Sequence, residues 1–206
     1  MEMRYKARLS PQVLEMTGLQ PLVRAYFEIS QLKQLYRQGW LHRGIQEAAC
    51  ESVAEHTFGM AVLAMLIADQ YFPGLDSTRV LRMALVHDIG EVYAGDIVPG
   101  GGVAKEEKQR LEREAVRRIF QGLPNGDQYL AAWEEFEQGE TPEARLVKQV
   151  DRLEMALQAS VYEHMEYGRL QEFFETAALE MLDPELIALM DAVQASRKAY
   201  PDADRK

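Results

Sequence analysis

The residues of this chain whose types and spacing could do chemistry are His56, the adjacent pair His87-Asp88, and Asp151. Glu91 and Asp96 follow the pair within ten positions. Two imidazoles and two carboxylates make a mixed nitrogen and oxygen donor set, suited to a divalent first-row ion such as Mn, Fe, Co, Ni or Zn. His56 lies on a largely apolar segment between Val53 and Met60, and Asp151 lies among Val147, Val150, Leu153 and Leu157. A carboxylate on such a face is costly unless paired or metal-bound. Each residue taken singly has a plainer reading. His56 reads as a hydrogen-bonding residue at a helix start, Asp151 as an ion-pair partner of Arg152 or Lys148, and His87-Asp88 as a polar helix end.

These residues need helices to position them, and helical signals dominate the sequence. Pro21 suits the first turn of a helix carrying Leu22, Tyr26, Ile29, Leu32 and Tyr36 toward Arg37, with Gly39 as its stop. Ser52-Val-Ala-Glu55 is a capping box, so a helix starts near Val53 and places His56 in its first turn. Asp76 or Ser77 caps the next helix, which runs toward Gly90 and brings His87-Asp88 to its end. Pro99 to Gly102 reads as a loop. The charged stretch from Lys105 to about Gln121 carries a thin apolar stripe and reads as a surface helix. Further helices are predicted over about Asp127–Gln138, from Thr141-Pro142 through Leu157, over Leu170–Glu180 and over Pro184–Lys198, with DADRK frayed at the end. A bundle brings such side chains inward from several helices. The expectation is an all-α single domain over residues 1–206, with a core of about 21–198 and a buried metal site.

Composition bounds the function. The chain has 206 residues, 47% apolar and 27% charged, as in ordinary globular proteins. A net charge of −10 argues against a sequence-independent grip on a nucleic acid polymer. It leaves room for a nucleotide substrate, because a metal ion makes a pocket locally positive. The longest apolar run, MAVLAMLIA, is too short for a bilayer, which takes ~20 residues. The N-terminal MEMRYKARLSPQ has no apolar targeting run, and the single Cys50 cannot form an internal disulfide. A cytoplasmic protein without a membrane segment is expected.

The ordered set H…HD…D, written here as His56, His87-Asp88 and Asp151, resembles the signature of the HD-domain metal-dependent phosphohydrolases. The segments ESVAEH, ALVHDIGEVYAGDI, KEEKQR, VKQVDRLEMALQASVYE and GRLQEFF are similar to those of the HD-domain 5′-deoxynucleotidases. The additional E-x-x-x-G-D-I pattern after HD, carried by Glu91, Gly95, Asp96 and Ile97, makes the resemblance specific. It extends from about Leu32 to Leu186.

The resemblance implies hydrolysis of deoxyribonucleoside 5′-monophosphates by a divalent cation (Mn, Co, Mg, Fe, Ni or Zn) held by His56, His87, Asp88 and Asp151. It implies a catalytic role for Glu91 beside Asp88, either orienting or deprotonating the water or binding a second metal with Asp96 and the Ile97 carbonyl; Asp96 is either that second-metal ligand or a contact to the sugar 3′-hydroxyl. It makes Arg37 a phosphate ligand and Trp40 the residue packing on the sugar. Here two residues separate Arg37 and Trp40, whereas some relatives have them adjacent, which bears on deoxyribose selectivity. Lys148, one turn before Asp151, is a second candidate phosphate contact. Arg43 has no assigned role, Glu55 reads as the capping partner of Ser52, and His42 and His164 read as structural or surface residues. The family also implies a homodimer.

Two other functions compete. One is an HD phosphohydrolase for another nucleotide, a triphosphate, a cyclic nucleotide or an alarmone. The other is a non-catalytic, metal-stabilised scaffold that binds nucleotide. Few cations lie near the motifs, chiefly Arg37, Arg43, Lys148 and Arg152, which favours a small monophosphate.

Overall fold

The computed structural model describes residues 3–7, 16–98, 100 and 102–197. The fold is all-α; among the described residues, extended pairing is limited to the isolated antiparallel bridges Tyr5–Leu35 and Tyr36–Ser52. The chain forms two compact units, Met1–Val147 and Lys148–Lys206. Of the expected features, Pro99 and Gly101 of the loop and the closing DADRK lie outside the described residues.

The first unit begins with α1 (Pro21–Ile29), which tightens into a 3-10 turn at Ser30–Lys33. The single helix expected from Pro21 to Arg37 is therefore cut short. Ser30 Oγ bonds back to the Tyr26 carbonyl at 2.8 Å, and Leu35 and Tyr36 give their backbones to the two bridges instead of to a helix. Gly39 does not stop a helix either; it lies inside the short α2 (Gln38–His42).

The capping box forms as the sequence predicts. Ser52 Oγ accepts from the Glu55 N–H at 3.3 Å, and the Glu55 carboxylate accepts from the Ser52 N–H at 2.6 Å. They open α3 (Val53–Tyr71) and fix His56 in its first turn. Asp76 caps α4 (Ser77–Val86) through the Arg79 N–H at 3.1 Å. His87 to Gly90 form turns rather than a continued helix, and Glu91 opens a separate α5 (Glu91–Ala94). Gly95, at φ 79°, ends it. Then come α6 (Lys105–Phe120), α7 (Gly126–Gln138) and the first turns of α8 (Pro142–His164).

Ile89, Val92, Val116, Ile119 and Trp133 bury together with Leu35 and Val53, so the turn after α4 is anchored on α6 and α7. Gly90 has to be glycine for this packing. A Cβ there would lie 2.6 Å from Glu112 Cβ and 2.9 Å from its backbone. Gly90→Ala is expected to cost about 1–3 kcal/mol by overpacking, a fall in Tm of roughly 2–12 °C at this chain length. Calorimetry of the two proteins checks it.

The second unit holds the rest of α8 with α9 (Gln171–Glu180) and α10 (Pro184–Ala195). Glu163, fully buried, accepts from Arg197 at 2.7 and 3.0 Å and from the Leu170 N–H at 2.9 Å. Burial alone would raise this carboxyl; the hydrogen bonds lower it instead. Gln149 ties the start of α10, accepting from the Leu182 and Asp183 N–H groups and donating to the Asp183 carboxylate.

Candidate metal centre

Capping and packing bring the ends of α3 and α4 together. One donor atom each from His56, His87 and Asp88 lies within 4.8 Å of the other two. Both imidazoles are buried, with ring centroids 5.5 Å apart. Trp133 donates its indole N–H to the His87 carbonyl at 3.0 Å, and Phe136 meets the His87 ring edge-on at 5.3 Å. His87 therefore has little freedom.

The donor set fits a cation. His87 Nδ1 lies 2.8 Å from the Ala84 carbonyl. With the proton on Nδ1, that bond fixes the tautomer and leaves the Nε2 lone pair facing Asp88 Oδ2 at 3.1 Å. Two lone pairs so close repel each other unless a proton or a metal ion lies between them. His56 Nε2 is 3.8 Å from the same oxygen. Burial alone would raise the Asp88 carboxyl, but His87, Arg37 and His56 hold it well below the usual carboxylate range.

Arg37 is the guanidinium of the site. Its Nη1 donates to Asp88 at 3.2 Å and Asp96 at 3.4 Å and lies 3.9 Å from Glu91. Glu91 is 2% exposed, and its Oε2 has no hydrogen-bond partner among the described residues. Burial and the charges of Asp88 and Asp96 push its carboxyl well above its usual range. Asp96, also buried, accepts from the Gln38 N–H at 2.5 Å. Ile97 follows it in the same loop.

Other predicted residues sit elsewhere. Trp40 is 2% exposed and gives its indole N–H to Glu51 at 2.7 Å. Asp151 and Lys148 belong to the second unit, Asp151 buried and Lys148 half-buried. Glu55 is held by the cap and by Lys6 at 2.6 Å. His42 and Arg43 are exposed at the end of α2, and His164 Nδ1 bonds the Ser160 carbonyl at 2.8 Å.

Two residues of α6 belong to the site's electrostatics although the sequence reads that helix as a surface element. Lys108 Nζ lies 3.4 Å from Glu112. Burial alone would lower the lysine, but Glu112, Glu91, Asp88 and Asp96 outweigh it and raise it. Burial, opposed by Lys108 and helped by the charges of Asp88 and Glu137, pushes Glu112 up to about 7. The four carboxyl groups Asp88, Glu91, Asp96 and Glu112 thus share two cations, Arg37 and Lys108. A divalent ion would supply the further positive charge that favours the ionised forms of Glu91 and Glu112. The signal for Lys108 was faint: a lysine four residues before Glu112, inside KEEKQR.

Comparison with known proteins agrees with this chemistry. The family described as the HD domain matches residues 29–185. The chain is 41% identical over 184 residues to a human protein named 5′-deoxynucleotidase HDDC2, covering 87% of this chain and 88% of that one. It is 42% identical over 186 residues to a Schizosaccharomyces pombe protein named 5′-deoxynucleotidase hdd1, covering 86% and 91%. Among solved structures, a predicted metal-dependent phosphohydrolase from Magnetospirillum magnetotacticum superposes with a TM-score of 0.65 at 28% identity, over 85% of this chain and 90% of that one. A Pyrococcus horikoshii protein superposes at 0.72 with 29% identity, over 85% and 99%.

Proposed function

The chain belongs to the HD-domain family, and from that premise we propose that it is a metal-dependent 5′-deoxynucleotidase, converting deoxyribonucleoside 5′-monophosphates and water to deoxynucleosides and phosphate. The observation that carries this reading is the convergence of His56, His87 and Asp88 beside the Arg37 guanidinium. Residues 1–206 are read as one HD domain, since the family match crosses from the first unit into the second.

His56, His87, Asp88 and Asp151 would hold the principal divalent cation, drawn from Mn, Co, Mg, Fe, Ni or Zn. The alternative role of Glu91, with Asp96 and the Ile97 carbonyl, is to hold a second such ion. When bound, such an ion polarises the phosphoryl oxygens and lowers the pKa of water. Arg37 binds the phosphate in a bidentate manner, with Lys108 and Lys148 as further cations. Trp40 shapes the sugar side of the pocket. Glu91, through the oxygen that has no hydrogen-bond partner among the described residues, takes the proton of the attacking water. The new P–O bond forms as the bond to the sugar 5′-oxygen breaks; that oxygen takes a proton from solvent, balancing the one that Glu91 takes from the attacking water and returns to solvent.

A homodimer is supported by Phe58, Val62 and Met65, exposed along one face of α3. Among the described residues no helix is long and apolar enough to cross a membrane, and a cytoplasmic location accords with that and with Cys50 as the lone cysteine.

The test is phosphate release from mono-, di- and triphosphates, cyclic nucleotides and alarmones after reconstitution with Mn, Co or Mg. Deoxynucleoside monophosphates are expected to exceed ribonucleoside monophosphates by roughly tenfold or more in kcat/KM, within what one small steric or polar contact provides. Turnover of triphosphates alone would favour the other nucleotide class. Binding of metal and nucleotide without any turnover would favour the scaffold.

A further inference from the structure

Four consecutive residues near the N-terminus reach the neighbours of candidate site residues. Met3 packs on Gly95, where an added Cβ would meet its side chain at 3.0 Å; Gly95 precedes Asp96. Arg4 is paired through its backbone to Gln38, which follows Arg37. Tyr5 bridges Leu35, and Lys6 donates from its N–H to the Gln34 carbonyl at 2.7 Å. The Lys6 ammonium binds Glu55, which precedes His56.

Gln38 is the joint of this strap. Its side chain is paired both ways with the Arg4 backbone, accepting from the N–H at 3.0 Å and donating to the carbonyl at 3.0 Å. It also donates to the Tyr36 carbonyl at 2.7 Å. Its own N–H is spent on Asp96 Oδ2, while Arg37 reaches Asp96 Oδ1. Gln38 is 3% exposed, so a lost partner leaves a buried polar group unsatisfied. Residues 37 and 38 thus grip both oxygens of Asp96 from one side, and the strap holds them from the other.

We infer that Gln38 is a positioning residue, and that the strap of residues 3–6 sets Arg37 and Asp96 for the substrate's phosphate. This deepens the nucleotidase reading and rests on it. The strap acts through backbone groups, so proline tests it. Arg4→Pro deletes the N–H that Gln38 accepts from. Gln38→Met keeps length and removes the amide. Glu47→Ala breaks the exposed ion pair to the Arg4 side chain and leaves the Arg4 backbone pairing to Gln38 in place.

Both Arg4→Pro and Gln38→Met are expected to raise KM for a deoxynucleoside monophosphate roughly tenfold, with kcat changed much less, since a misplaced Arg37 loses binding shared by ground and transition states. Glu47→Ala is expected to leave both constants within about twofold of wild type. Inorganic phosphate titrated calorimetrically into the Mn²⁺-loaded proteins reads the Arg37 contact without turnover and should weaken in parallel. Wild-type phosphate affinity and KM in folded Arg4→Pro would overturn the inference, even if Gln38→Met failed to fold. Absence of turnover in the wild type would overturn the nucleotidase reading instead, and phosphate affinity would still decide the strap.

Discussion

Asp88→Asn is expected to strip the divalent ion and lower phosphate release by about a thousandfold or more. Asp88 Oδ2 is where the site converges: His87 Nε2 at 3.1 Å, Arg37 Nη1 at 3.2 Å and His56 Nε2 at 3.8 Å. Its neighbours hold the carboxyl well below its usual range, which favours the ionised form. Asparagine keeps the shape and loses the charge. Its amide nitrogen is a donor facing a guanidinium, and its oxygen is a weak ligand for a hard cation. A catalytic metal contributes several kcal/mol to the transition state, and each 1.36 kcal/mol is about tenfold in rate, so about 4 kcal/mol gives the stated loss. Metal content by elemental analysis and phosphate release, measured on protein with native circular dichroism, check it. Full metal content with full turnover would remove Asp88 from the centre.

How much of this was legible in the sequence depends on whether the determinant was local. The cap Ser52-Glu55 lies within four consecutive residues, so the start of α3 and the place of His56 were readable. So was Asp76 as the cap of α4. The end of α1 was not. Leu35 and Tyr36 leave the helix for partners at Tyr5 and Ser52, and backbone pairing leaves no side-chain pattern to read. Gln38 was missed for the same reason, since its Arg4 partner is 34 residues away. Lys108 and Glu112 were hidden by their helix. A charged face normally faces solvent, but Glu112 packs closely on Gly90, in the turn between Asp88 and Glu91, which brings this part of the face against the carboxylates. Trp40 reads equally as core or as a sugar wall, and its bond to Glu51 fixes its place without choosing between them.

Glu91→Gln separates water activation from metal binding. Turnover is expected to fall about 10²–10⁴-fold, the usual worth of a positioned general base, while the ion held beside His56, His87 and Asp88 stays. Glutamine fills the same buried space at 2% exposure but cannot take a proton. KM should change little, because the loss is confined to the transition state. A second readout comes from stability in chelator-treated protein. Burial and the charges of Asp88 and Asp96 raise the Glu91 carboxyl above its ordinary 4.5. A group raised in the folded state contributes stability at pH values below its unfolded pKa and loses it as pH rises through the folded one. The metal-free wild type should therefore lose Tm with rising pH above the ordinary carboxylate range. Glu91→Gln, which cannot ionise, should lose less, so the difference in Tm should grow in the variant's favour as pH rises. Restoring the divalent ion should shrink that difference, because a cation beside Glu91 favours its charged form. A variant that keeps wild-type turnover, with a Tm difference flat in pH, would place Glu91 outside both the proton transfer and the charge cluster.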